Sequence, residues 1–114
     1  MTLDDFLGKG ATKKEKSQRQ EKNVAKLVGG RATISSGSLH FDKADVVSKS
    51  FRIECKRTDK EFLRIDKKWL TKIKKEALES KVLPAVNIEI NGEMWFMIRV
   101  NEFDVLRGVI EDER

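Results

Sequence analysis

Three charged residues within a dozen positions carry the chemistry this chain can offer: Asp45, Glu54 and Lys56, the last two separated only by Cys55. On an extended strand, residues two apart share a face, so Glu54 and Lys56 stand on one side and the Cys55 thiol on the other. Asp45 lies nine residues before Glu54, a spacing that a hairpin can close to set the two acids across neighbouring strands. Two carboxylates a few ångströms apart repel each other unless a cation sits between them. A hard divalent ion such as Mg2+ takes oxygen ligands and keeps several waters, one of which can become a nucleophile. Mn2+ is expected to substitute for it. Lys56 on the same face could orient or deprotonate that water. The Cys55 backbone carbonyl is a further candidate ligand, while its thiol is expected to be inert core. Alternatively, in a chain with 38% charged residues, a Glu-x-Lys strand is a solvated face.

Other chemistries have no foothold. The chain contains no paired cysteines, no HExxH helix, no Gly-Lys-Ser/Thr phosphate loop and no Rossmann fingerprint, so no organic cofactor is expected. Cys55 is the sole cysteine, which excludes an intrachain disulfide and fits a reducing, cytoplasmic setting. His40 reads as a loop residue or a phosphate contact. Net charge is +5 with a pI near 9.4, which suits an anionic partner. No apolar run approaches the roughly 20 residues that cross a bilayer, and Met1–Gly8 lacks the basic start and apolar stretch of a signal peptide.

These residues need a scaffold, and the periodicities supply one. Val24, Leu27 and Val28 recur at helical spacing before Gly29-Gly30, which predicts a helix over 14–28. Glu21 falls on its inward side, or else just beyond the core edge in solvent. Residues 29–45 are rich in Gly and Ser and read as a loop or irregular strand, with an interdomain linker as the alternative. Asp45-Val46-Val47, a Ser48-Lys49-Ser50 turn and Phe51–Arg57 predict two strands. Asp66 caps a helix to Ser80 with an apolar stripe of Trp69, Leu70, Ile73 and Ala77 amid lysines. Pro84–Ile90, an Asn91-Gly92 turn and Met94–Val100 predict a β-hairpin, and 101–107 a short closing helix. The expected fold is one α/β domain, a central mixed sheet of four or five strands flanked by helices in α-β-β-α-β-β order. Its expected limits are a loose arm at 1–12, the domain at 13–110 and an acidic tail at 111–114.

The run Gly29-Gly30-Arg31, Ser36-Gly37-Ser38, Ala44-Asp45-Val46-Val47 and Phe51-Arg52-Ile53-Glu54-Cys55-Lys56-Arg57-Thr58 resembles the PD-(D/E)XK nuclease superfamily. Within it, the chain is similar to archaeal-type and phage-encoded Holliday junction resolvases. The likeness covers roughly residues 20 to 100 and implies a restriction-endonuclease-like core. It implies that Asp45 and Glu54 bind Mg2+, that Lys56 assists the attacking water, and that Glu21 completes the site, with Glu15 the poorer candidate. Ser36 and Ser38 would contact the phosphate backbone. Ala44 stands where the family has proline, a residue that shapes the backbone and binds nothing.

The expected activity is Mg2+-dependent, structure-selective DNA cleavage, as of a junction resolvase acting as a homodimer on branched double-stranded DNA. Arg31, Arg57, Lys68 and Lys72 are expected to meet that DNA, the last three within residues 52–75, which hold ten Lys/Arg against four Asp/Glu. A restriction or repair nuclease of the same fold is the first alternative. A non-catalytic basic binding module is the second, but paired acids on an anion-binding face would weaken its affinity. Met94–Ile98 is apolar on both faces, so a second chain or the segment 101–110 is expected to cover one of them.

Overall fold

Phe51 to Thr58 alternate between two environments, and that alternation organises the whole structure. In the computed structural model, which describes residues 11–33 and 45–112 (only the backbone of 45, 105 and 108–112), Ile53 and Cys55 are buried together with Val24, Val46 and Ala85. The intervening Glu54 and Lys56 lie on the opposite face, half-buried.

The first element is α1 (Lys13–Val28). Thr12 caps it, its hydroxyl accepting from the Glu15 amide at 3.1 Å and donating to the Glu15 carboxylate at 3.3 Å. Gly29 ends it in the left-handed conformation, φ 65°. Gly30 is required for a different reason: a Cβ there would meet the Val47 carbonyl oxygen at 2.4 Å. That close approach lets the chain turn into β1 (Arg31–Ala32), a two-residue strand within the stretch expected to be loop or irregular strand. Next come β2 (Asp45–Val47) and β3 (Phe51–Thr58), then α2 (Lys67–Glu79), with Asp66 accepting from the Trp69 amide at 2.8 Å as its N-cap. The chain continues through β4 (Leu83–Ile90) and β5 (Glu93–Ile98), joined at Asn91 (φ 47°) and Gly92 (φ 88°), the paired positive φ of a type I′ turn.

Among the described residues the strands form one sheet in the order β1-β2-β3-β4-β5. All pairs are antiparallel except β3–β4, which is parallel because α2 carries the chain back across the sheet. The protein is thus an α/β domain with a mixed sheet between helices. Val24, Ala25 and Val28 of α1 pack on one face. Ile73 and Trp69 of α2 pack on Val86, Ile88 and Met97 of the other. The hairpin strand β5 stops at Ile98, and α3 (Val100–Asp112) follows, longer than the short closing helix expected and running past residue 110. Among the described residues no helix is long and apolar enough to cross a membrane.

Candidate active site

The β2–β3 hairpin fixes the register at the point of interest. Its turn is tied by Ser48, whose amide donates to the Phe51 carbonyl at 2.8 Å and whose hydroxyl accepts from the Phe51 amide at 3.0 Å. From there Val47 pairs with Arg52, Val46 with Ile53 and Asp45 with Glu54. Directly opposed residues share a face and have Cβ atoms about 4.5–5.5 Å apart, and like charges so placed are destabilising. Val46 and Ile53 are buried beneath α1, so the Asp45–Glu54 position belongs to the α2 face. Aspartate and glutamate offer oxygen donors, the kind a hard divalent cation takes while keeping part of its water shell. No group of three or more candidate ligand side chains occurs among the described residues, a set that omits the Asp45 side chain.

Lys56 lies one step along the same face, with its ammonium 4.4 Å from the centroid of the Trp69 ring. The α2 stripe thus does two things: Ile73 fills the core, and Trp69 holds the lysine head. At the other end of the face Arg52 approaches Glu76 of α2 at 3.7 Å. Arg52, Glu54 and Lys56 therefore form a row along β3, with α2 beside it.

Glu21 lies on α1, which packs on the opposite face of the sheet from Glu54 and Lys56. It is half-buried on α1, and its neighbour Gln20 donates its amide to the Lys56 carbonyl at 3.1 Å. Because β2 pairs no further than Glu54, α1 lies against β3 just where β2 has ended. Glu15, the poorer candidate, is exposed and engaged in the helix cap.

Arg57 stands apart from the residues with which it was grouped. Odd-numbered, it falls on the α1 face, 9% exposed, donating to Glu89 at 2.8 Å and to Asp59 at 2.7 Å. Burial opposes its charge, but the hydrogen bonds to Asp59 and Glu89 outweigh this and leave its pKa raised. Its guanidinium is engaged in a structural ion-pair cluster that also includes Lys16, 3.2 Å from Asp59, so the expected DNA contact has no support at this position. Lys68 and Lys72 are exposed on α2, as is Arg31 on β1. Cys55 is buried, its thiol in the core. Ser36, Ser38, His40 and Ala44 lie outside the described residues.

Sequence reasoning missed a buried amide pair behind the site. Gln20 and Asn87 are 1% and 0% exposed. Gln20 donates to the Asn87 side-chain oxygen at 2.8 Å, and Asn87 donates to the Trp95 carbonyl at 3.2 Å. The available signal was an asparagine in the middle of the apolar run Leu83–Ile90, since a polar group there must find partners. Comparison with family models, with curated proteins and with solved structures finds no match for this chain.

Proposed function

We propose that this protein is a Mg2+-dependent DNA endonuclease with a restriction-endonuclease-like core, and that its substrate is a four-way DNA junction. The observation that carries this reading is the register of β2 on β3, which opposes Asp45 to Glu54 on the face that also bears Lys56. Opposed acids are unfavourable in a sheet without a countercharge, and a divalent cation provides one. Asp45 and Glu54 would hold Mg2+, or Mn2+ in its place, with the Cys55 carbonyl and Glu21 completing the ligand set. The bound cation supplies Lewis acidity toward a phosphoryl oxygen and an acidified water. Lys56 donates through its ammonium to the attacking oxygen or the scissile phosphate, and Trp69 limits the positions its head can take. Glu21 anchors the site from α1, whose position against β3 is set by the Gln20 bond to the Lys56 carbonyl.

Support for DNA as substrate comes from charge. The chain is basic, and Lys68 and Lys72 are solvent-facing beside the site. Lysine ammonium groups meet phosphates without reading bases, so this surface favours recognition of shape and backbone. A four-way junction is nearly two-fold symmetric and needs two matched cuts, which a symmetric homodimer provides. The edge strand β5 offers the surface: Trp95 and Phe96 remain 60% and 47% exposed although α3 follows them.

The test is incubation with Mg2+ and a synthetic four-way junction beside linear, flap and single-stranded controls. Paired symmetric nicks confined to the junction are expected. Cutting of flaps or linear duplex instead would assign another DNA-processing specificity, and no cutting of any substrate would remove the nuclease.

A further inference from the structure

A groove of about 480 Å³ runs along α1 beside β1, away from the Asp45–Glu54 face. Its cations are Arg19, Lys22 and Lys26, spaced three and four residues apart so that they line one stripe of the helix. Its opposite wall is Ala32 of β1, whose neighbour Arg31 is exposed. Ala25 and Ala32 keep the floor low, and among the described residues no large apolar side chain enters the lining.

We propose that this groove is a binding site for the phosphodiester backbone of duplex DNA, distinct from the face where cleavage occurs. It rests on the nuclease reading only for the identity of the polyanion. Arg19 to Lys26 spans about 10 Å of helix axis at 1.5 Å per residue. Each DNA strand adds a phosphate about every 3.4 Å of duplex axis. Because the strand winds obliquely, its phosphates lie farther apart than that, so about two of them pass over the three cations. The low floor matters because a backbone must approach closely to be contacted. A lining without large apolar groups gives a lipid surface nothing to insert. Glu15 sits at one end of the groove and opposes an anion there, so the strand runs toward Lys26 and Arg31. In a junction complex, this site would grip an arm that the cleavage face does not reach.

The test compares two double variants with the same loss of charge on the same helix. Lys22→Gln with Lys26→Gln removes groove cations, and Lys13→Gln with Lys14→Gln removes exposed lysines outside its lining. Affinity for a labelled linear duplex is measured by fluorescence anisotropy from about 50 to 200 mM salt. The groove variant should flatten the slope of log affinity against log salt by about 2, and the control by much less than 1. Equal flattening in both variants would overturn the site and leave only diffuse charge. Tighter binding of the wild type to phosphatidylserine vesicles than to duplex would also overturn it, in favour of a membrane surface. The two readings fail separately. DNA binding lost in the groove variant, from a wild type that cuts nothing, keeps the groove and removes the nuclease. Wild-type cutting with an unchanged slope in the groove variant does the reverse.

Discussion

The ammonium of Lys56 lies 4.4 Å from the centre of the Trp69 ring, joining the face of β3 to the helix that covers it. Such a contact is worth about 0.5–2 kcal/mol, enough to bias where the lysine head spends its time. Trp69→Leu keeps an apolar group in the core and removes the ring. Single-turnover cleavage should fall roughly two- to thirtyfold, with junction affinity unchanged. Lys56→Ala should fall further, by about 10² to 10⁴. A Trp69→Leu protein that melts lower but cleaves at the wild-type rate would reduce the contact to packing.

The Arg57 cluster makes a pH prediction. The hydrogen bond from Arg57, and then that from Lys16, hold the Asp59 carboxyl below its usual range. A depressed carboxylate contributes stability that is complete above its unfolded value, about 3.9, and lost as pH falls through the folded value. Wild type should therefore melt above Asp59→Asn at pH 7, and the gap should close as pH drops below about 4. A gap that is constant down to strongly acid pH would mean that Asp59 ionisation adds nothing. Because Asp59 is half exposed, the gap should also shrink in high salt.

Asn87 and Gln20 should behave as a unit. Asn87→Leu takes one acceptor from the Gln20 amide, which keeps the Lys56 carbonyl, and removes the donor to the Trp95 carbonyl; it should cost about 1–3 kcal/mol. Gln20→Leu should then cost less in the Asn87→Leu background than in the wild type, because one of its bonds is already gone. Denaturant melts of the two single variants and the double variant measure the coupling. Strict additivity would show that the amides do not depend on each other.

Elements with strong punctuation were legible in the sequence. Asp66, the Trp69–Ala77 stripe and Asn91-Gly92 each have a local physical cause, and the helix and turn formed where those causes lie. The alternation of Phe51, Ile53 and Cys55 against Glu54 and Lys56 likewise gave the two faces of β3. Strand β1 was hard to read because two residues carry no period; it depends on the close approach at Gly30. The ion pairs of Arg57 were not legible because its proximity to Lys56 in sequence hides its place on the other face, where Glu89 is its register partner on β4. Gln20, Asn87 and the contact of Trp69 with Lys56 join segments distant in sequence, and only the packed sheet brings them together.

The edge strand predicts an assembly. Among the described strands β5 has one unpaired side, and on it Trp95 and Phe96 are exposed on opposite faces of the sheet, an arrangement that invites a second strand or chain. Light scattering at micromolar concentration should give twice the 13.1 kDa chain mass, and Trp95→Glu with Phe96→Glu should halve it. A wild-type monomer both free and on junction DNA would remove the dimer and with it the paired cut.

The measurement closest to the central proposal is cleavage of a four-way junction by Asp45→Asn and by Glu54→Gln, with binding followed in parallel. Each change removes one of two opposed acids and a negative charge close to phosphate. Both variants should lose Mg2+-dependent cleavage while binding the junction as tightly as wild type or more so, and a chelator should have the same effect on the wild type. Cleavage by either variant at the wild-type rate would contradict the assignment of Asp45 and Glu54 as the metal site.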